Sequence, residues 1–549
     1  MVVESKLSDL RIPAKTFHDF LFDEWRQFEN DVAIIDNDTK RQYTYRELMD
    51  KAEYIAQALL YLNVEKSEVV LLAMDWSPEA IYISLGVSMA GAAFLIISPK
   101  LQAWEMQFPV GESETRFVFS DALGLREVDK LMSNLKREYR VVCTGSRELA
   151  MGHPTIQDLE YAASQNLPFP EIDSEFDIVY LPYSSGIHGK RKGILTSHKI
   201  MVAKTMAMWN KEHHNEFRKG DTTITMMPFH KQLALDAVLC ALLNGCTVVT
   251  VRTFCVHTLM TSIQRYKIRS VYLTPYMMNL MIYETENHDY MIEDLEWILT
   301  GADAVTPTLY EEFIETFPSV KYITQTYGMT EIGLISRNYD NKFDISCGSL
   351  AANLHLKIVD ILTGNELGVR EKGQICIQGL AANSPYLNNP EATFEHFLEG
   401  WRKTGDIGYI DEDGRIHIVD KMKEMIKVFG FQVIPKELET LLQTHKAIEE
   451  AAVVAINNDI SGERPVAFVV LRKGHNATEE EIKEYVNHRV IRYKHIIGVN
   501  FVKFLPRSPC GTLLRRLLAE AAVLSVASIS EVEKELLAPM NGKRPSITG

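Results

Sequence analysis

Short apolar runs alternate with helically spaced segments from residue 45 to residue 300, and this alternation constrains the fold more than any other feature of the chain. Residues 45–62 carry helical spacing and residues 69–73 form a short apolar run. Further strand or helix signals fall at 117–120, 178–183, 222–227, 235–243, 247–252, 270–273 and 297–300. Alternation of this kind predicts βαβ units and parallel sheets covered by helices. No repeat of fixed period is visible.

One stretch requires a membrane check. Residues 80–99 read AIYISLGVSMAGAAFLIISP, without a charge. The length approaches that of a membrane span. Its glycine, serine and proline interruptions favour a buried helix at 79–90 that passes through Gly91 into a buried strand at 93–97.

From Gly348 the texture changes to short strands separated by turns. Asp413-Gly414 between alternating residues is a hairpin signal. A charged segment, DKMKEMIK, follows, and then a compact α+β pattern to about residue 522. A chain of 549 residues is too long for one core. The expected fold is α/β: a large N-terminal domain of helix-covered sheets over 1–420, with a small β subdomain at about 345–420, and a small α+β C-terminal domain over 421–525. A tail over 526–549 contains a helix-like run at 530–537.

The formal net charge of -15 opposes non-specific binding to nucleic acid or anionic membranes. It leaves room for a small basic pocket for an anionic cofactor. The seven cysteines lie between Cys143 and Cys510 with no CxxC or Cys/His ligand spacing. Free thiols in a reducing compartment are expected, rather than a disulfide framework or a zinc site. The N-terminus lacks an apolar signal core, and KRPSITG at the other end is not a Ser-Lys-Leu address, so a soluble cytoplasmic protein is expected.

The chemistry starts at YLPYSSGIHGKRKG, residues 180–193, where an apolar strand enters a Ser/Gly-rich loop that closes on basic residues. Glycines let backbone N–H groups approach an anion, hydroxyls add donors and lysine adds charge. The stretch is not a Walker loop, because GxxxxGK[ST] is absent. Alone, it also reads as a basic surface turn.

Three further motifs follow in order: QTYGMTE at 325–331, WRKTGD at 401–406, and IVDKMKEMIK at 418–427 running into GFQV and PKELE. Together the four resemble the adenylate-forming enzymes, the acyl-CoA ligases and beetle luciferases, from about residue 20 to 520. That resemblance implies a two-step reaction. A carboxylate attacks the α-phosphate of ATP, giving an acyl-adenylate and pyrophosphate. A thiol, usually that of coenzyme A, then displaces AMP. The implied partners are a small fatty or aromatic carboxylic acid and a nucleotide, with Mg²⁺ and coenzyme A.

The resemblance also implies roles. Ser184, Ser185, Gly186, Gly189 and Lys192 cradle phosphates. Gly301, Ala302 and Asp303 line the base, Tyr327 stacks on it, and Gln325 and Gly328 belong to the same wall. Thr330 meets the α-phosphate and Glu331 holds Mg²⁺. Asp406 accepts the ribose hydroxyls, and Lys421 stands where the family has an arginine to the ribose. Asp420 to Lys423 form the hinge of a mobile lid. Lys427, Gln432 and Gly430 belong to the face that serves thioester formation, with His230, Lys231 and Lys423 toward acid and coenzyme A. The acid pocket is expected around 231–235, 302–305 and 326–335. Peroxisomal location is common among relatives, without the terminal signal here.

Departures from the family pattern gather at the chemistry. Ile187 and His188 replace two threonines, Arg191 replaces a proline, and Lys190 adds charge. Lys231 takes the place of a histidine, with His230 one position early. Phe429 replaces a lysine. In SPCGTLLRR, residues 508–516, Thr512 takes the place of the catalytic lysine that bridges carboxylate and α-phosphate. Arg507, Arg515 and Arg516 are candidate stand-ins. Two readings follow: a ligase weakened in adenylation, or a binding protein that holds a nucleotide or acyl-adenylate without turnover. Luciferase-like oxygenation is a distant third.

Overall fold

A computed structural model describes residues 1–184, 191–211, 216–285, 288–340, 343–428, 431–458, 462–508 and 511–523. At 423, 432, 457, 458, 462 and 523 the description stops at the backbone. Ser185, Gly186, Gly189 and Gly430, with Ile187, His188, Lys190 and Phe429, lie outside the described residues, as does the 530–537 run.

The N-terminal part holds three helix-covered sheets. One runs in the order Thr196–Ser197, Ile178–Tyr180, Ala93–Ile97, Val69–Ala73, Phe117–Ser120, Arg140–Cys143, and all but its first strand are parallel. A second contains Thr222–Thr225, Thr247–Thr250, Val32–Asp36 and Gln42–Thr44. The third runs Ser270–Leu273, Trp297–Thr300, Tyr322–Met329, Gly333–Arg337, Ser349–Leu350. Residues 178–183 form two pieces rather than one strand, because Pro182 cannot donate to a ladder.

The charge-free stretch folds as a buried helix, Pro78–Met89, and the buried strand Ala93–Ile97. Ser77 caps the helix by accepting from the Ala80 amide. The helix lies close against Tyr45–Tyr61, and Gly86 sits at the crossing. A Cβ there would stand 2.7 Å from the Ala52 carbonyl oxygen. Tyr45–Tyr61 starts with a reciprocal capping box between Thr44 and Glu47. No helix among the described residues is long and apolar enough to cross a membrane. The six described cysteines are free.

The β-rich part contains His355–Val359, Gly373–Gln378, Trp401–Ile410, Phe397–Leu398 and Ile416–Lys421. Asp411 forms its hairpin turn by accepting from the amides of Asp413 and Arg415, and Gly414 takes φ +76°. Val2–Glu4 adds an edge strand to this sheet, which the sequence reading did not foresee. Beyond Lys421 a second five-stranded sheet has two cores of its own. One packs Ile426, Val453, Ala467 and Val469 with helices Pro435–Gln443 and Glu479–Asn487. The other packs Phe468 and Val454 with helix Arg515–Val523.

Candidate active site

The strands Ser270–Leu273, Trp297–Thr300 and Tyr322–Met329 are parallel neighbours, so their C-terminal ends share one edge. That edge is where open α/β sheets bind ligands. Gly301 follows the second strand directly, and a Cβ there would collide with the Tyr272 hydroxyl and the Thr326 side chain. Ala302 adopts φ +71°, and Asp303 turns its carboxylate onto the Ala304 amide. Gln325 is buried and braces the wall: its side-chain NH₂ donates to the carbonyls of Asp344 and Ser346, and its Oε1 accepts from the Val305 amide.

Tyr327 reaches from this edge to the β-rich sheet. Its hydroxyl donates to Asp406 Oδ2 at 2.6 Å. Burial and the adjacent carboxylate both push the phenol up from its ordinary range, so it stays protonated. Lys421 stands directly across the ladder from Asp406. Gly328 leaves no room for a Cβ against the Gly333 carbonyl, which lets the strand fold back tightly. Glu331 lies in that tight connection between two antiparallel strands and caps no helix.

Glu331 is 5% exposed and sits in a network of aromatic and basic groups. The Tyr386 hydroxyl donates to Glu331 Oε1 at 3.0 Å and accepts from Arg402 Nη1 at 3.4 Å. Lys192 places Nζ 4.9 Å from the centre of the Tyr386 ring and 3.1 Å from His396 Nε2. His396 Nδ1 lies 2.8 Å from the Ala392 carbonyl oxygen, a contact only its N–H form can make. That tautomer leaves Nε2 to accept from Lys192. Burial pushes Lys192 down, opposed by the Glu331 charge. Burial also lowers His396, helped by Lys192, and keeps it neutral at pH 7. Ser184 pairs with Lys192 across the two-stranded ladder at the mouth of the glycine-rich loop.

A second polar group lies deeper, between helices His198–Met208 and Gln232–Leu243. Lys204 is fully buried and donates to the Thr330 carbonyl at 3.1 Å. Asp236, also buried, accepts from Gln232 Nε2 at 2.7 Å, while Gln232 Oε1 has no partner. Burial pushes Asp236 up to about 7 and Lys204 down to about 8, partly offset by their mutual attraction. His230 precedes the second helix with a buried, unpartnered Nδ1. Burial, then the nearby cations Lys231 and Arg191, pushes it down to about 3, so its ring is neutral. Lys231 is exposed at the helix N-cap.

The C-terminal part meets this edge through Tyr276, which follows Ser270–Leu273. Gly511 takes φ +86° and packs against Tyr276, and the Arg507 guanidinium lies 5.9 Å from that ring. Thr512 closes the turn: its carbonyl accepts from the Ser508 amide and its amide donates to the Ser508 hydroxyl. The three nearby arginines are committed elsewhere. Arg507 pairs with Glu450 at 2.8 Å, Arg515 with Glu424 at 2.7 Å and with buried Glu439, and exposed Arg516 with Glu520. At the junction, buried Asp420 accepts from the Lys436 and Lys421 amides. Lys427 is exposed and faces Gln432 across a hairpin ladder. Nothing is described for the Lys423 and Gln432 side chains.

Residues 21–387 match the AMP-binding enzyme family, and residues 437–512 match the AMP-binding enzyme C-terminal domain. The chain belongs to this adenylate-forming family. It is 32% identical over 527 residues to 4-coumarate–CoA ligase 2 of Nicotiana tabacum, covering 94% of this chain and 96% of that one. It is equally similar to 4-coumarate–CoA ligase of Vanilla planifolia, at 32% over 528 residues, 94% of this chain and 95% of that one. Among solved structures it superposes on the anthranilate CoA ligase AuaEII with anthranoyl-AMP at TM-score 0.82, with 23% identity over 94% of this chain and 99% of that one. It superposes on ATP-bound MatB from Rhodopseudomonas palustris at 0.81, with 21% identity over 92% and 98%. As an AMP-binding family member, the chain is of the acyl- and aryl-CoA ligase type.

Tyr386, His396, Arg402, Lys204 and Asp236 were not singled out from the sequence. A signal existed for two of them. Lys204 and Asp236 are lone charges within otherwise apolar helical stretches, where an uncompensated charge is costly.

Proposed function

We propose that this chain is an ATP-dependent acid–thiol ligase with a competent nucleotide cleft and a weakened adenylation step. The observation that carries the reading is a pair of side-chain groups: Tyr327 hydrogen-bonded to Asp406, and Glu331 hydrogen-bonded to Tyr386, whose ring also faces the Lys192 ammonium. In this reading the Tyr327 ring lies on adenine and Asp406 accepts the ribose hydroxyls while keeping the Tyr327 hydroxyl as donor. Gln325 holds the base wall in shape. Lys192 meets the phosphates together with Ser184.

The Glu331 carboxylate, a hard oxygen donor with one oxygen steadied by Tyr386, would suit Mg²⁺. When bound, Mg²⁺ supplies neutralising charge for the leaving pyrophosphate. Lys204 fixes the Thr330 carbonyl and so positions the Thr330 hydroxyl beside the α-phosphate. The acid's carboxylate oxygen forms the bond to the α-phosphorus as the bond to pyrophosphate breaks. In the second step the thiol sulfur forms the thioester bond and AMP leaves with the former carboxylate oxygen.

Thr512 offers no cation to the first step, and Arg507 and Arg515 are held in scaffold ion pairs. Loss of one transition-state donor costs on the order of a hundredfold. The second step uses another face of the small domain, Lys427 and Gln432, and is spared this loss. The half-satisfied Lys204, Asp236 and Gln232 group borders the expected acid pocket. It favours an acid with a hydroxyl or similar hydrogen-bonding group over a plain alkyl acid.

ATP–pyrophosphate exchange over a panel of alkyl and hydroxylated aromatic acids tests the reading. Slow exchange with a hydroxylated acid supports it, and no exchange with any acid contradicts it. A second reading, nucleotide or acyl-adenylate binding without turnover, is favoured by the committed arginines beside Thr512. It is tested by calorimetry with ATP, AMP and a non-hydrolysable acyl-adenylate mimic.

A further inference from the structure

The sequence shows no metal-ligand spacing around its cysteines, but the fold brings together two histidines and a glutamate from separate segments. His257 lies in the first turn of helix Val256–Tyr266, Glu284 in the last turn of helix Pro275–Thr285, and His288 in the loop after it. Each offers a ligand atom, and the three atoms lie within 4.8 Å of one another. Glu284 Oε1 is 3.4 Å from His257 Nδ1 and 3.4 Å from His288 Nδ1. Tetrahedral bonds of about 2.0–2.1 Å, the usual length for zinc with nitrogen or oxygen, set ligand atoms about 3.3 Å apart. The two glutamate–histidine separations are close to the edges of such a tetrahedron, and the third pair lies within 4.8 Å.

Tyr290 bridges two of these ligand atoms and would give way to an ion that takes them. The Tyr290 hydroxyl donates to Glu284 Oε1 at 2.7 Å and lies 2.8 Å from His257 Nδ1. Glu284 is mostly covered, while both imidazoles are open to solvent, so an ion can enter from the surface.

We propose that His257, Glu284 and His288 form a surface site for a divalent transition-metal cation of the Zn²⁺ class, with its fourth position open to water. Two imidazoles and one carboxylate match the preference of borderline-soft cations over Mg²⁺ or Ca²⁺, which favour oxygen alone. The site is separate from Glu331. It lies on the helix that also carries Tyr276 and Tyr283, which contact Gly511 and Glu449 of the C-terminal part. A cation there ties helix Val256–Tyr266 to the ledge on which that part rests. The proposal does not depend on the ligase reading.

The test uses chelator-stripped full-length protein without nucleotide, titrated with Co²⁺ and then Zn²⁺. The expected result is one Co²⁺ per chain with the visible bands of a low-coordinate site, displaced by Zn²⁺. His257→Ala and His288→Ala should each weaken binding by at least about tenfold. Glu284→Gln, a change of nearly equal shape, should do the same while keeping the parent's circular dichroism. His153→Ala, beside Asp129, should leave binding unchanged. Absence of binding by the parent overturns the proposal, as does unchanged affinity in the His257→Ala/His288→Ala double variant.

Discussion

The large-domain edge and the small-domain turn that rests on it use their charges in opposite ways. Around Glu331, the groups Tyr386, Arg402, Lys192 and His396 hold one another in a chain whose basic end, Lys192, stands at the loop mouth. Around Thr512, every nearby arginine is paired with a glutamate of its own neighbourhood. The first arrangement keeps charge available to a ligand. The second uses charge to hold the scaffold. On the proposed reading, a cleft built this way would grip a nucleotide better than it drives attack of a carboxylate on the α-phosphate.

The comparison breaks first at Arg515, where the largest effect is expected. Glu439 is 3% exposed, and removing Arg515 leaves its buried charge with only the Val453 amide and Lys436 at 4.0 Å. Arg515→Ala should destabilise the C-terminal domain by about 3–5 kcal/mol, read by denaturant unfolding. Arg516→Ala, on the exposed Glu520 pair, should change stability by less than about 0.5 kcal/mol. Equal effects would remove the distinction between buried and exposed arginine pairs.

Next comes the large-domain edge itself. Asp406→Ala removes a charged acceptor and the partner of Tyr327. Hydrogen bonds to charged groups are worth about 1.5–3 kcal/mol, so ATP affinity by calorimetry should fall about tenfold to a hundredfold. Affinity equal to the parent's would place the nucleotide elsewhere.

The smallest effect sharpens the account of the buried pair. Burial raises the Asp236 carboxyl from 3.8 to about 7. Between those values the folded chain holds a proton that the unfolded chain has released, so this group makes stability fall as pH rises. Asp236→Asn removes that slope. The thermal midpoint of the parent relative to the variant should therefore decline from pH 5 to pH 7. A difference that is flat with pH would mean that Asp236 is not desolvated in the folded chain.

Much of this arrangement was legible beforehand. The runs at 69–73, 117–120, 270–273 and 297–300 are the observed strands, because a buried parallel strand needs an unbroken apolar run. Tyr327, Glu331 and Asp406 could be named because their motifs have fixed spacing. Tyr386, His396 and Arg402 could not, because they meet Glu331 through tertiary packing of segments that carry no local pattern. Arg402 was visible only as a letter within WRKTGD, yet it is fully buried and donates to the carbonyls of Ala382 and Ser384. The added edge strand Val2–Glu4 was equally hidden, since its partner lies some 350 residues away.

In the proposed reading the cleft is competent and lacks one cation. ATP–pyrophosphate exchange by the Thr512→Lys variant beside the parent, with a hydroxylated aromatic acid, tests it most directly. The account predicts exchange faster by about a hundredfold in the variant, with ATP affinity unchanged. Exchange no faster than the parent's, in a variant that still binds ATP, would contradict it.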